Sequence, residues 1–116
     1  MLVVKRVSFD AAHLLPYYEG KCSSLHGHHW DLEVGYQGPL HDNSGMIVDF
    51  STLKEKLQLL VDKLDHSFLN DYEANPTCEN LVERIWEELP KEIGQAKLAL
   101  IRLWETGTSY AEWRPQ

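Results

Sequence analysis

The chain has 116 residues, 43% hydrophobic and 25% charged, the balance of one globular domain long enough to bury a core without staples. Its formal net charge of −7 excludes a general nucleic-acid binder, which needs a basic face, but leaves room for one phosphorylated small molecule. No apolar run approaches a membrane span, the N-terminus lacks a signal-peptide pattern, and Cys22 and Cys78 cannot make a disulfide framework, so a cytoplasmic protein with no membrane partner is expected.

Residues 1–14 read as a strand with Val3, Val7 and Phe9 on one face and Ala11 and His13 in phase with them. Residues 15–25 form a loop containing Pro16, Gly20 and Lys21. A second strand over 26–37 puts His26, His28, Trp30, Leu32, Val34 and Tyr36 on an apolar face. Its other face, with His29, Asp31, Glu33 and Gln37, is polar. After a turn-rich stretch over 38–46, Phe50, Leu53, Leu57, Leu60, Val61 and Leu64 mark a helix. Asp49 is its N-cap, with a capping box at Thr52 and Glu55 slightly further in as the alternative.

That helix ends at Leu64-Asp65-His66-Ser67, and residues 70–76 form a loop. A second helix starts at Thr77, with Leu81, Val82, Ile85, Trp86 and Leu89 on one face and Pro90 close behind. Strands follow over 98–106 and 110–114, separated by Gly107-Thr108. The order ββααββ predicts an α+β domain, a four-stranded antiparallel sheet with both helices on one side. Open sheet edges predict edge-to-edge assembly into a homo-oligomer.

Two imidazoles at one end of an apolar face need partners, and His13 joins them if the first two strands pair. Three histidines with an open fourth position suit a catalytic divalent metal such as zinc (Zn2+). His29 has the wrong parity to join, and His41 lies in a polar turn. Cys22 has two readings, a fourth ligand closing a structural site or a thiolate base beside an open one. Cys78 reads as a small buried residue.

Asp65 and His66 are either a carboxylate orienting a proton shuttle or favourable groups at a helix end, and adjacency in sequence does not ensure that they pair. Glu105 shares strand parity with Ala99, Ile101 and Leu103. It ends an apolar face, where it either reaches water or accepts from a ligand with a paired N–H edge. Thr77 and Glu79 begin the second helix, where a threonine cap and an acidic first turn serve stability.

Together these runs resemble the family of 6-pyruvoyl-tetrahydropterin synthase and the bacterial 6-carboxy-tetrahydropterin synthase. The matching stretches are Phe9-Asp10-Ala11-Ala12-His13, Cys22 to His28, Gly45-Met46-Ile47-Val48-Asp49-Phe50, Leu64-Asp65-His66, Pro76-Thr77-Cys78-Glu79-Asn80 and Glu105-Thr106. They occur in the family's order and span nearly the whole chain. The resemblance implies a single tunnelling-fold domain over 1–116, with sheets joined into an oligomeric barrel, as a trimer or a dimer of trimers. It implies zinc on His13, His26 and His28, Cys22 as proton acceptor, and Asp65 with His66 as its relay. It gives Glu105 the role of pterin anchor, with Thr77 and Glu79 as further substrate-binding candidates, and puts the sites between subunits.

The implied substrate is 7,8-dihydroneopterin triphosphate, with Lys5, Lys21 and Lys54 as candidate cations for the triphosphate. One outcome in the family keeps the side chain as a pyruvoyl group. The other releases acetaldehyde and leaves a 6-carboxy group for queuosine and other deazapurine routes. The compact chain with Cys-x-x-x-His-x-His looks more like the second type. Cys22 disfavours a variant group in which glutamate replaces the cysteine and the enzyme is an aldolase in folate synthesis. A non-catalytic module whose zinc merely staples the sheet is the alternative from another class.

Overall fold

In the computed structural model, which describes residues 1–116, strands β1 (Leu2–His13) and β2 (His26–Gln37) pair antiparallel along their full length. Then come α1 (Phe50–Leu64), β3 (Ser67–Phe68), α2 (Cys78–Glu88), β4 (Glu92–Ile93), β5 (Ala96–Thr106) and β6 (Ser109–Trp113). The sheet runs β3-β1-β2-β5, and both β4 and β6 pair with β5. The α+β class and the order of the four long strands agree with the expectation. The four-stranded antiparallel sheet does not: there are six strands, and β3 lies parallel to β1, Ala11 opposite Ser67 and Ala12 opposite Phe68. Two-residue strands are too short to carry a period, which is why β3 and β4 leave no sequence signal.

The helices start where polar caps satisfy their free amides. The Asp49 carboxylate accepts from the Ser51 N–H at 2.8 Å, and Thr77 Oγ1 accepts from the Asn80 N–H at 3.1 Å. Asp49 is therefore the cap of α1, and Thr52 and Glu55 lie inside the helix. Leu53, Leu57, Leu60, Val61 and Leu64 of α1 are buried, as are Cys78, Leu81, Val82 and Ile85 of α2. They close over an inner sheet face of Phe9, Ala11, Trp30, Leu32, Val34, Tyr36, Leu98, Ile101 and Leu103. Phe50 and Trp86, expected in the apolar stripes, stay 52% and 37% exposed.

Two irregularities in β5 decide which way its side chains point. Against β2 the register slips, Gly35 opposite Leu100 and Tyr36 opposite Leu98. The extra residue is Ala99, so Leu98 takes the place expected for Ala99 in the core cluster, and Ile101 and Leu103 continue that face. Gly35 allows the close approach there, since a Cβ would come within 2.9 Å of Leu2 Cδ1 and 3.1 Å of Leu100 Cβ. A second slip against β6, between Trp104 and Thr106, leaves Glu105 without a strand partner on that side.

The outer face carries charge. Arg6 bridges Asp31 at 2.9 Å and Glu33 at 3.3 Å, and Arg102 pairs with Glu112. β1 has no strand partner on its outer side from Leu2 to Asp10, and β6 pairs only with β5. No helix is long and apolar enough to cross a membrane.

Candidate active site

The β1–β2 register sets His13 directly opposite His26, and His28 opposite Ala11. Strand alternation then turns all three rings to the inner face, with centroids 4.5 Å apart for His13 and His26, 4.9 Å for His26 and His28, and 5.3 Å for His13 and His28. Trp30 floors the cluster, its ring 5.1 Å from that of His13 and its Nε1–H donating to the Ala11 carbonyl.

Two backbone carbonyls set the state of the rings. His13 Nδ1 lies 2.9 Å from Pro76 O, and His26 Nδ1 lies 2.8 Å from Ser24 O. A carbonyl can only accept, so both Nδ1 atoms carry the proton and both Nε2 atoms present a lone pair. Burial lowers the pKa of His13 and of His28, which keeps both neutral at pH 7. The Nε2 atoms of His13, His26 and His28 are all buried without a hydrogen-bond partner. Three buried, converging ring nitrogens without partners are costly by themselves and are what a divalent cation requires, so the residues fit zinc.

Glu105 joins them. Its Oε1 lies 3.3 Å from His28 Nε2 and 3.9 Å from His13 Nε2. One donor atom from each of His13, His26, His28 and Glu105 falls within 4.8 Å of the others. Cys22 is not in that group. It sits half-buried in a short turn, Lys21–Ser23, tied to the end of β1 by the Leu15 N–H donating to Cys22 O at 2.9 Å. Its sulfur is not among the donor atoms that converge there.

Asp65 and His66 do pair. Asp65 caps the end of α1, its Oδ1 accepting from the Asp10 N–H at 2.8 Å and its Oδ2 lying 3.0 Å from His66 Nδ1. His66 has a left-handed backbone, φ 56°, and its N–H donates to Asp10 O. That conformation turns the imidazole back toward its neighbour. The Asp10 amide, with help from His66, holds the Asp65 carboxyl below the usual range. The pair stands at the open edge of β1, three residues along from His13, with the imidazole exposed to solvent.

Residues 2–116 match the family model for 6-pyruvoyl tetrahydropterin synthase. The chain belongs to that family. It is 39% identical over 119 residues to the 6-carboxy-5,6,7,8-tetrahydropterin synthase of Synechocystis sp., covering 97% of this chain and 92% of the relative. It is also 39% identical over 104 residues to the dihydroneopterin monophosphate aldolase of Pyrococcus furiosus, covering 89% and 88%. The solved 6-pyruvoyl tetrahydropterin synthase of Caenorhabditis elegans shares the fold, with a TM-score of 0.87 over 100% of this chain and 96% of that one, at 24% identity. Equal identity to a synthase and an aldolase means that overall likeness does not separate the reactions of the family.

The stretch Pro76 to Asn80, one of those that resemble the family, meets the histidines through the Pro76 carbonyl. Thr77 caps α2, and Glu79 is exposed in its first turn with no ion pair. Neither is among the residues whose donor atoms converge at the histidines. The contact of Pro76 O with His13 was missed from sequence because it joins residues 63 apart with no pattern between them. The Cys78 thiol donates to Leu103 O, and burial pushes it up to about 11. His29 lies on the outer face against Asp10, and His41 accepts from loop amides. Lys21, beside Cys22, is the candidate cation nearest the cluster in the chain. Lys5 pairs opposite Val34, eight residues down β1 from His13 and roughly 26 Å away along the strand.

Proposed function

We propose that this protein is a zinc-dependent lyase. It converts 7,8-dihydroneopterin triphosphate and water to 6-carboxy-5,6,7,8-tetrahydropterin, acetaldehyde and triphosphate, in queuosine biosynthesis. The observation that carries the reading is the convergence of three buried, unpartnered Nε2 atoms from His13, His26 and His28. Zinc held there supplies Lewis acidity toward the oxygens of the substrate side chain. The Cys22 thiolate takes the proton from the carbon that this polarisation acidifies. Asp65 orients His66, whose exposed ring passes protons between the site and solvent. Glu105 accepts two N–H bonds from the amino-pyrimidine edge of the pterin. Thr77 and Glu79, at the start of α2, are further substrate-binding residues, and Lys21 meets the triphosphate.

Cys22 supports the synthase reading over the aldolase activity named for the Pyrococcus furiosus relative. We treat residues 1–116 as one catalytic domain working in the cytoplasm, with a small-molecule substrate and no nucleic-acid or membrane partner. The open edges of β1 and β6 support a homo-oligomer with sites between subunits, a trimer or a dimer of trimers. Light scattering is then expected to return a multiple of 13.4 kDa, and a stable monomer would count against the assembly.

The test is incubation of zinc-loaded protein with fresh substrate, with mass detection of the pterin and a trap for acetaldehyde. Acetaldehyde with the 6-carboxy product is expected. A 6-pyruvoyl product without acetaldehyde would move the protein to the other synthase branch. No turnover would favour a zinc-stapled binding module.

A further inference from the structure

Hydrogen bonds tie the loop over 14–25, which carries Cys22, to the rest of the chain at its two ends only. At the far end Ser24 O meets His26 Nδ1 at 2.8 Å. At the near end the Leu14 N–H donates to Asn70 Oδ1 at 3.0 Å, and Asn70 Nδ2–H donates to Leu14 O at 2.9 Å. The next amide, Leu15 N–H, donates to Cys22 O at 2.9 Å, and the other bonds of the loop are internal turns.

The register explains why a side chain holds Leu14. β3 runs parallel to β1 with Ala11 opposite Ser67 and Ala12 opposite Phe68, so the same register would set Leu14 opposite Asn70. The backbone does not follow, because it winds into a 3-10 turn over Leu69–Asp71 that buries Leu69 completely. A side-chain amide carries a donor and an acceptor in one plane, as a peptide group does, and here it completes the ladder in the backbone's place. Asn70 also follows closely on His66, whose N–H donates to Asp10 O. The corner that carries Asp65 and His66 is thus bonded to β1 at Asp10 and to its exit at Leu14, on either side of His13.

We propose that Asn70 is a positioning residue for Cys22, fixing the exit of β1 and with it the turn that carries the thiol. The effect on turnover rests on the proposed function, in which Cys22 is the base. A base must stand within hydrogen-bond reach of the proton it takes, and a misplacement of about 1 Å can cost roughly 100-fold in rate. Loss of the Asn70 amide frees both backbone groups of Leu14 and releases the turn, whereas His13 keeps its own anchor at Pro76 O.

Amide hydrogen exchange and steady-state kinetics of the zinc-loaded protein test the two effects. Asn70→Ala is expected to speed exchange of the Leu14 and Leu15 amides about tenfold or more, with the β1–β2 ladder unchanged. Its kcat is expected to fall about tenfold or more, with KM within about twofold and zinc content unchanged. Asn70→Asp keeps the acceptor and lacks the donor, so it should restore part of the protection at most. Tyr36→Phe removes the bond to Pro90 O at the other end of β2 and should leave both the loop and kcat as in wild type. Faster exchange throughout the ladder in Asn70→Ala would reduce Asn70 to general stability and overturn the proposal. Faster exchange of the loop with kcat unchanged would overturn the link to Cys22 alone. A wild type without turnover would sink the proposed function and the effect on catalysis with it, and exchange would then decide the anchor. Should neither Asn70 variant fold, Leu14 and Leu15 amides of wild type that exchange as fast as that of exposed Glu19 would overturn the anchor.

Discussion

His13 Nδ1 lies 2.9 Å from the carbonyl oxygen of Pro76, so a fully buried ring of β1 is oriented by backbone 63 residues further along the chain. The carbonyl is itself held in place. The Asn75 carbonyl accepts from the Thr77 N–H at 2.9 Å and from Asn80 Nδ2 at 2.9 Å, which locks the turn that presents Pro76. Outer hydrogen bonds of this kind set the orientation and basicity of a ligand ring.

Asn80→Ala removes one of the two bonds on Asn75 and leaves the Thr77 cap in place. Zinc affinity, read by chelator competition, is expected to fall about 10-fold or more. Stability to urea should fall by only about 1 kcal/mol. Unchanged affinity would show that the turn holds Pro76 without Asn80.

The two thiols should behave differently. Cys78 is buried, donates to Leu103 O and is pushed up to about 11, whereas Cys22 is half-exposed on its turn. Iodoacetamide at pH 8 is expected to modify Cys22 in the folded protein and Cys78 only after unfolding. Cys22→Ala should keep its zinc while turnover falls by orders of magnitude. Loss of zinc in that variant would restore sulfur as a ligand.

Parity made the histidine cluster legible, because twelve residues of alternation from His26 to Gln37 leave only one way to face the core. The helix starts were equally plain, since Asp49 and Thr77 are capping residues ahead of clear apolar stripes. Glu105 was legible as an inner-face residue but not as a neighbour of His28, because a bulge does not interrupt the pattern of the strand that carries it. The Asp65–His66 pair was legible only as one of two readings. It depends on a left-handed backbone at a histidine, which no local composition announces.

That left-handed backbone can be separated from the imidazole. His66 has φ 56°, a conformation costly for any residue with a Cβ. His66→Gly relieves the strain and His66→Ala keeps it, so the glycine variant is expected to be more stable by about 0.5–1 kcal/mol. If His66 serves the chemistry, neither variant recovers turnover, whatever its stability. An alanine variant with wild-type turnover would remove His66 from the relay, and strain at that position would then lack a functional reason.

Asp65 links the same corner to pH. The Asp10 amide, and after it His66, hold its carboxyl below the ordinary value of about 3.9. For a depressed acid, the unfolded chain binds the proton first as pH falls. The stabilising contribution is therefore complete above about pH 5 and disappears as the medium is acidified through the folded-state value. Asp65→Asn keeps an oxygen for the Asp10 N–H but carries no charge, so it should lack this dependence. Unfolding midpoints measured from pH 6 to pH 2 are expected to show wild type ahead at the upper end, with the two curves converging toward the lower. A gap that stays constant down to pH 2 would mean that the Asp65 bonds act without its charge, and a relay that needs an ionised Asp65 to orient His66 would lose its basis.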